Sequence, residues 1–199
     1  MFSIFNSLFP LKCIRCSKID SALCNQCKKS LQVSRGADLP GVDQCWSAGP
    51  YSDWLREKVL LYKSGHIEYA EGLVEILHQV LFVSKVQVDW IVNVPSTTHK
   101  VRSRGFDTVG ELSASLSTLT NTQHKPMLQF AHKVQDQVGL GRKERSVNLA
   151  LAFTATKRIS GNIALIDDVV TTGATVMSAA KTLRICGAKK IFVISLCRT

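Results

Sequence analysis

The chain has 199 residues, 45% of them hydrophobic, enough for one good core plus an appendage, so one main domain is expected. No apolar run is long enough to span a bilayer, and the apolar opening Met1 to Leu11 lacks the basic start and small-residue cleavage site of a signal peptide. Membrane insertion and secretion are therefore not expected, and a cytoplasmic protein is. A formal net charge of +10 favours anionic partners, whether a pyrophosphate-bearing metabolite, a nucleic acid or an acidic protein, but the cations are dispersed from Lys12 to Arg198 and serve solubility equally well.

The first element in chain order is a cysteine array. Cys13, Cys16, Cys24 and Cys27 form C-x2-C-x7-C-x2-C, two close pairs that can bring four thiolates together on one tetrahedral ion. The residues between them offer little core, so the metal would act as the staple. Zinc is the expected ion. Two disulfides and an iron–sulfur cluster are the alternatives, the first disfavoured in a reducing compartment. With every ligand position filled by protein, the site would be structural. Cys45, Cys186 and Cys197 read as ordinary buried cysteines.

Residues 28 to 44 read as a linker broken by Gly36, Pro40 and Gly41, so the expected domains are 1–43, a cysteine module with its linker, and 44–199, the main domain. Gln44 to Tyr51 is a candidate strand. Ser52 is a candidate N-cap for a helix burying Trp54 or Leu55, Val59 and Tyr62, interrupted at Lys63-Ser64-Gly65. Leu73, Ile76, Leu77, Val80 and Leu81 mark the next helix, leaving His66 and His78 at surface or edge positions.

Trp90 to Val94 is a short apolar strand that ends in a loop, Pro95 to Phe106, carrying Lys100, Arg102 and Arg104 beside Gly105. Cations there could clamp a diphosphate through charge-assisted hydrogen bonds. A helix with Phe106, Val109, Leu112, Leu116 and Leu119 as its buried stripe should follow. Met127 to Val134 and Val147 to Phe153 are the next strands. The connection 135–146 between them carries Arg142, Lys143 and Arg145, and suits either a lid closing on an anionic substrate or an idle hairpin. Lys190 to Leu196 is a last buried strand, completing an α/β alternation.

The most informative stretch is Ile163 to Thr175. An apolar run, Ile163 to Ile166, is followed by Asp167 and Asp168, then by Thr171, Thr172, Gly173, Ala174 and Thr175, which open a helix with Val176, Ala179 or Ala180, and Leu183 on one side. A strand without polar alternation is of the parallel, doubly buried kind, and the carboxyl ends of such strands face the ligand crevice of open α/β sheets. The helix N-terminus and the threonine hydroxyls suit a phosphate. Ionised carboxylates only accept hydrogen bonds, so they suit ribose hydroxyls. The simpler reading of the acid pair is a helix cap.

Two aspartates followed by Thr-Thr-Gly-x-Thr resemble the phosphoribosyl pyrophosphate (PRPP) motif of type I phosphoribosyltransferases. The resemblance widens to the ComF/GntX family, of competence-associated and gluconate-associated proteins. It rests on the order of the four-cysteine knuckle, Lys63-Ser64-Gly65, the Pro95 to Phe106 segment, Gln137-x2-Leu140-x4-Arg145-x2-Asn148 running into Ala152-Phe153, and the Asp167-Asp168 motif. The resemblance implies a type I phosphoribosyltransferase-like α/β fold, a parallel sheet flanked by helices, with a small N-terminal zinc module. It implies that Asp167 and Asp168 hold the ribose hydroxyls and that Thr171 to Thr175 hold the 5-phosphate. Lys100, Arg102, Arg104 and Gly105 would form the pyrophosphate loop, and Arg142 and Arg145 would act from the flexible loop.

The implied activity is release of pyrophosphate from PRPP, bound with Mg2+, to an acceptor that no residue identifies. The chain departs from the family pattern at Asp107-Thr108, where Asn-Gln is expected, and at Val134, where Thr is. A different reading makes the protein a non-catalytic accessory of DNA uptake, sensing PRPP and gripping single-stranded DNA or a helicase-type motor partner through its basic surface and zinc module. No aromatic residue lies between Cys13 and Cys27 to stack on bases. Homo-oligomerisation is left open by the sequence.

Overall fold

The structure is a computed structural model and describes residues 11–19, 21–131 and 153–199. In chain order the elements are α1 (Asn25–Lys29), β1 (Ser34–Arg35), β2 (Gln44–Pro50), α2 (Asp53–Lys63), a 3-10 turn (Ile67–Tyr69) and α3 (Ala70–Ser84). Then come β3 (Trp90–Asn93), α4 (Thr98–Arg104), α5 (Thr108–Thr120), β4 (Leu128–Phe130), β5 (Phe153–Ala155), β6 (Gly161–Val170), α6 (Ala174–Ile185) and β7 (Ala188–Arg198). The main sheet runs β1-β2-β7-β6-β3, and β4 pairs with β5 in a separate hairpin. Strands β2, β7, β6 and β3 are mutually parallel; only β1 is antiparallel, at the edge. Among the described residues no helix is long and apolar enough to cross a membrane.

The expected α/β class follows from why these strands are apolar throughout. Ile163 to Ile166 and Ile191, Val193 and Ile194 are fully buried, because helices cover the sheet on both faces and no alternation with solvent is left. One face packs Ile91, Ala164, Ile166 and Ile194 against Leu55 and Val59 of α2, Leu73, Ile76, Leu77 and Val80 of α3, and Val109, Leu112 and Leu116 of α5. The other packs Val92, Ile163, Leu165 and Val193 against Val176, Ala179, Ala180 and Leu183 of α6, with Phe153 and Leu128 of the hairpin.

The cysteine segment joins the first of these cores. Cys13, Ile14, Leu23, Cys24 and Cys27 are buried with the α3 side chains. Ile14 lies so close to Gly72 of α3 that a Cβ there would approach it to 2.6 Å, and Lys28 pairs with Glu75 at 2.6 Å.

Several expectations are corrected. Residues 28–44 are not all linker: Ser34 and Arg35 pair with Ser47 and Trp46, because the sheet edge at β2 has free backbone groups to satisfy. The Pro95 to Phe106 loop contains a helix, α4. Thr97 accepts a hydrogen bond from the Lys100 N–H at its start, and Gly105, at φ +87°, ends it in the left-handed conformation. Leu119 is no part of the buried stripe but 44% exposed, since α5 reaches past the core before ending at Asn121. Leu55 rather than Trp54 is the buried residue of that pair. The strand expected over Met127 to Val134 is confined to Leu128–Phe130, and of the strand expected over Val147 to Phe153 only Phe153 lies within the described residues. The expected basic connection with Arg142, Lys143 and Arg145 lies outside them.

The largest correction is at the acid pair. β6 does not stop before Asp167 but runs on to Val170, because β7 is equally long and pairs with it to the end, Asp167 opposite Ser195 and Val170 opposite Arg198.

Candidate functional site

The two sites singled out in the sequence lie in different parts of the fold. In the cysteine segment, the first knuckle turns at residues 14–16 and is closed by pairing of Lys12 with Ile19. Cys24 caps α1 and Cys27 sits in that helix. All four sulfurs lie within 4.8 Å of one another. Thiolates about 2.3 Å from a single ion at tetrahedral angles would lie roughly 3.8 Å apart, and the Cys16 and Cys24 sulfurs are 3.8 Å apart.

All seven of the chain's cysteines are free thiols, and a disulfide needs a separation of about 2 Å. Burial raises the Cys13 thiol, but backbone N–H groups of Cys16, Cys24 and Arg15 outweigh it and bring the thiol down to about 6. Burial, together with the neighbouring sulfurs, pushes Cys27 well above the ordinary thiol range. The donor set, three buried cysteines and the exposed Cys16, fits one tetrahedral metal ion.

At the carboxyl end of the sheet the arrangement is open. β3 and β6 are neighbours, and β3 ends at Asn93 opposite Ile166, while β6 runs on to Val170, so both strands lead out at the same end of the sheet. After β6 the exposed Thr171 and Thr172 lead to Gly173, at φ +78°, which opens α6. A Cβ on Gly173 would meet the Leu39 side chain at 2.7 Å. Ala174 and Thr175 form the first turn of a twelve-residue helix, whose unpaired N–H groups and dipole favour an anion. After β3 comes α4, with Lys100 and Arg102 exposed and Arg104 half-buried, just before Gly105. Lys100 is near enough to Asp167 to favour its ionised form.

The aspartates behave differently from each other. Neighbouring residues of a strand point to opposite faces. Asp168 turns toward α2, where its Oδ2 is 2.7 Å from Lys63 Nζ, a largely buried ion pair. Asp167 faces the other way and accepts a hydrogen bond from the Asp168 N–H at 2.9 Å. Burial first, and the Asp168 charge second, push the Asp167 carboxyl up to about 7, against smaller opposing effects of Lys63 and Lys100. The structure thus brings the acid pair, the threonine turn and the basic helix to one edge, but sets the two carboxylates on opposite faces of β6.

Beside them is a polar cluster that sequence reasoning did not single out. Asp107 Oδ1 accepts from Ser96 Oγ at 2.8 Å, Asp107 Oδ2 accepts from Asn93 Nδ2 at 3.5 Å, and Asn93 Oδ1 lies 3.0 Å from His124 Nε2. Asp107 is the residue that departs from the family's Asn. A hint was available in that departure, but none for Asn93 or His124, which come together only through the sheet. Lys63 belongs to the Lys63-Ser64-Gly65 motif, but its bond to Asp168 spans too much sequence to be read from that motif.

The class these observations define is an α/β protein whose parallel sheet carries two carboxylates and a threonine turn at its carboxyl edge, with four cysteines close enough to hold one metal ion in a different part of the fold. No profile of a known protein family matches the chain. It is similar to the DNA utilization protein YhgH of Escherichia coli K12, 27% identical over 94% of this chain and 88% of that protein. It is also similar to Competence protein F of Haemophilus influenzae, 32% identical over 54% of this chain and 49% of that one. The chain is a relative of these proteins, in keeping with the ComF/GntX resemblance in its motifs.

Its structural neighbours are phosphoribosyltransferases and related enzymes. They include an adenine phosphoribosyltransferase, with a TM-score of 0.42 and 14% identity over 85% of this chain and 89% of that one. Another is an allosteric regulatory enzyme of purine biosynthesis, with a TM-score of 0.43 and 16% identity over 66% and 30%.

Proposed function

We propose that the carboxyl edge of the sheet binds PRPP with Mg2+ and transfers its phosphoribosyl group to an acceptor, releasing pyrophosphate. The observation that carries the reading is that the Thr171–Thr175 turn follows β6 and the helix with Lys100, Arg102 and Arg104 follows the neighbouring β3, with Lys100 close enough to Asp167 to favour its charge. The turn takes the 5-phosphate on backbone N–H groups and hydroxyls. Asp167 and Asp168 take ribose hydroxyls, one from each face of the strand end. The α4 cations and Gly105 hold the diphosphate. Magnesium in such sites keeps few protein ligands and neutralises diphosphate charge. As the acceptor's nitrogen lone pair forms a bond to ribose C1, the C1–O bond breaks and pyrophosphate departs with the bonding electrons. Arg142 and Arg145 are proposed to stabilise that departing charge. The acceptor's proton passes to solvent.

The four-cysteine site is proposed to hold a structural zinc ion, and residues 1–43 to serve as the module that it staples onto α3. A cytoplasmic location accords with free thiols and PRPP as ligand. The names of the two relatives favour a second reading, an accessory of DNA uptake that senses PRPP and binds single-stranded DNA or a motor partner, alone or as a homo-oligomer.

The discriminating experiment measures pyrophosphate release from PRPP against a panel of nucleobases and amines, beside a salt titration of single-stranded DNA binding. One acceptor that triggers release supports transfer. No release with any of them, and DNA binding that falls steeply with salt, supports the accessory role.

A further inference from the structure

A second basic concavity lies outside the edge just described, on the flank of the sheet beyond β3. It is a cavity of about 380 Å³, within the usual size of small-ligand sites, between the segments 123–127 and 156–158. Its walls are held by backbone hydrogen bonds. Ile91 N–H donates to the Gln123 carbonyl and Lys125 N–H to that of Ile91, which fixes the first wall on the edge of β3. Thr156 N–H donates to the Met127 carbonyl and Ile159 N–H to that of Cys186, which fixes the second. Met127 and Ile159 are buried beneath, so the concavity belongs to the folded core and is not a chance gap between side chains.

The lining is one-signed. Lys125 stands on one wall and Lys157 and Arg158 on the other, with His124 between and no carboxylate among the lining residues. Like most cations among the described residues, Lys125, Lys157 and Arg158 are in no ion pair, so their charges are not neutralised by a neighbouring acid. Lys125 Nζ rests over the Trp90 ring, 3.2 Å from its centre, and so takes up that aromatic face. His124 Nε2 is engaged with Asn93 Oδ1, which ties this cavity to the Asp107 cluster at the end of β3.

We propose that this cavity is a second anion site, distinct from the PRPP edge, which takes a phosphate ester through Lys125, Lys157 and Arg158 and reads no base. The phosphate could belong to a free nucleotide or to the backbone of a nucleic acid strand, and the test separates these sources. The full-length protein is titrated at low salt with AMP by calorimetry and with a labelled oligothymidylate by anisotropy, as wild type and as the double variant Lys157→Glu/Arg158→Glu. Both substituted residues are exposed, and an unchanged melting temperature verifies the fold.

A loss of about tenfold or more in AMP affinity marks a free-nucleotide site. A loss of that size in oligothymidylate affinity alone, with oligodeoxycytidylate equally affected, marks a strand site. Wild type that binds neither probe, or a variant that binds both as tightly as wild type, overturns the proposal. AMP carries a ribose and a 5-phosphate that the PRPP edge could also take, so both titrations are repeated in an Asp168→Asn background, where a loss on Lys157→Glu/Arg158→Glu that persists belongs to this cavity whatever becomes of the PRPP reading.

Discussion

The four-cysteine cluster and the carboxyl edge of the sheet are built from the same kind of signal, two polar residues close in sequence, yet they end in opposite states. In the cluster, four thiols meet within 4.8 Å and are largely buried, so a bound ion would have no open position. At the edge, Asp167 and Asp168 are adjacent in sequence but point to different faces, and the hydroxyls of the Thr171–Thr172 turn remain in solvent. Closure suits a group that holds the fold together; openness suits one that must enter and leave. The difference comes from backbone geometry. Turns let C-x2-C pairs converge, whereas an extended strand separates neighbours.

The contrast can be broken most severely at the closed site. Cys27→Ser, or chelation of the ion, should remove the staple beneath Ile14 and Leu23 and lower the melting temperature by on the order of 10 °C, with one zinc released per chain in a colorimetric assay. A chelated protein that melts unchanged would make the cluster ornamental.

At the open site, Gly173→Val forces a branched side chain into a left-handed conformation against Leu39. It should cost about 1–3 kcal/mol in denaturant unfolding, and it should weaken PRPP binding too.

A subtler probe uses the half-buried Asp167 carboxylate. Asp167 is raised from 3.8 to about 7, so the folded state binds more protons than the unfolded one in that window. Stability should therefore fall as pH rises through it, with the cost complete above pH 7 and absent below pH 4. Asp167→Asn should stabilise by about 2 kcal/mol or more at pH 8 and have little effect at pH 4, as read from urea midpoints. Equal effects at both pH values would mean that the group is not buried as described. The smallest effect belongs to Leu119→Ser, within about 0.5 kcal/mol of wild type, because that side chain lies outside the core that the helical stripe implied.

How much the sequence disclosed follows the same division. The cysteine spacing, the apolar strands and the helix stripes were legible, since each depends on periodicity or on a turn within a few residues. The extension of β6 through two carboxylates was not, because it is dictated by pairing with β7 and not by any property of Asp167 or Asp168. Nor was α4, a seven-residue helix whose cations and terminal glycine look like a loop until Thr97 caps it. The bond from Lys63 to Asp168 and the Asn93–Asp107–His124 cluster are products of tertiary assembly, and no local pattern announces them.

The central claim is that the strand end and the threonine turn together hold a phosphoribosyl group. It is tested most directly by titrating PRPP with magnesium into the zinc-loaded protein by calorimetry, wild type beside Asp168→Asn. Saturable binding that loses most of its affinity in the variant, measured at a temperature where both proteins are folded, is the predicted result. Equal binding by both proteins, or none by wild type, would contradict it.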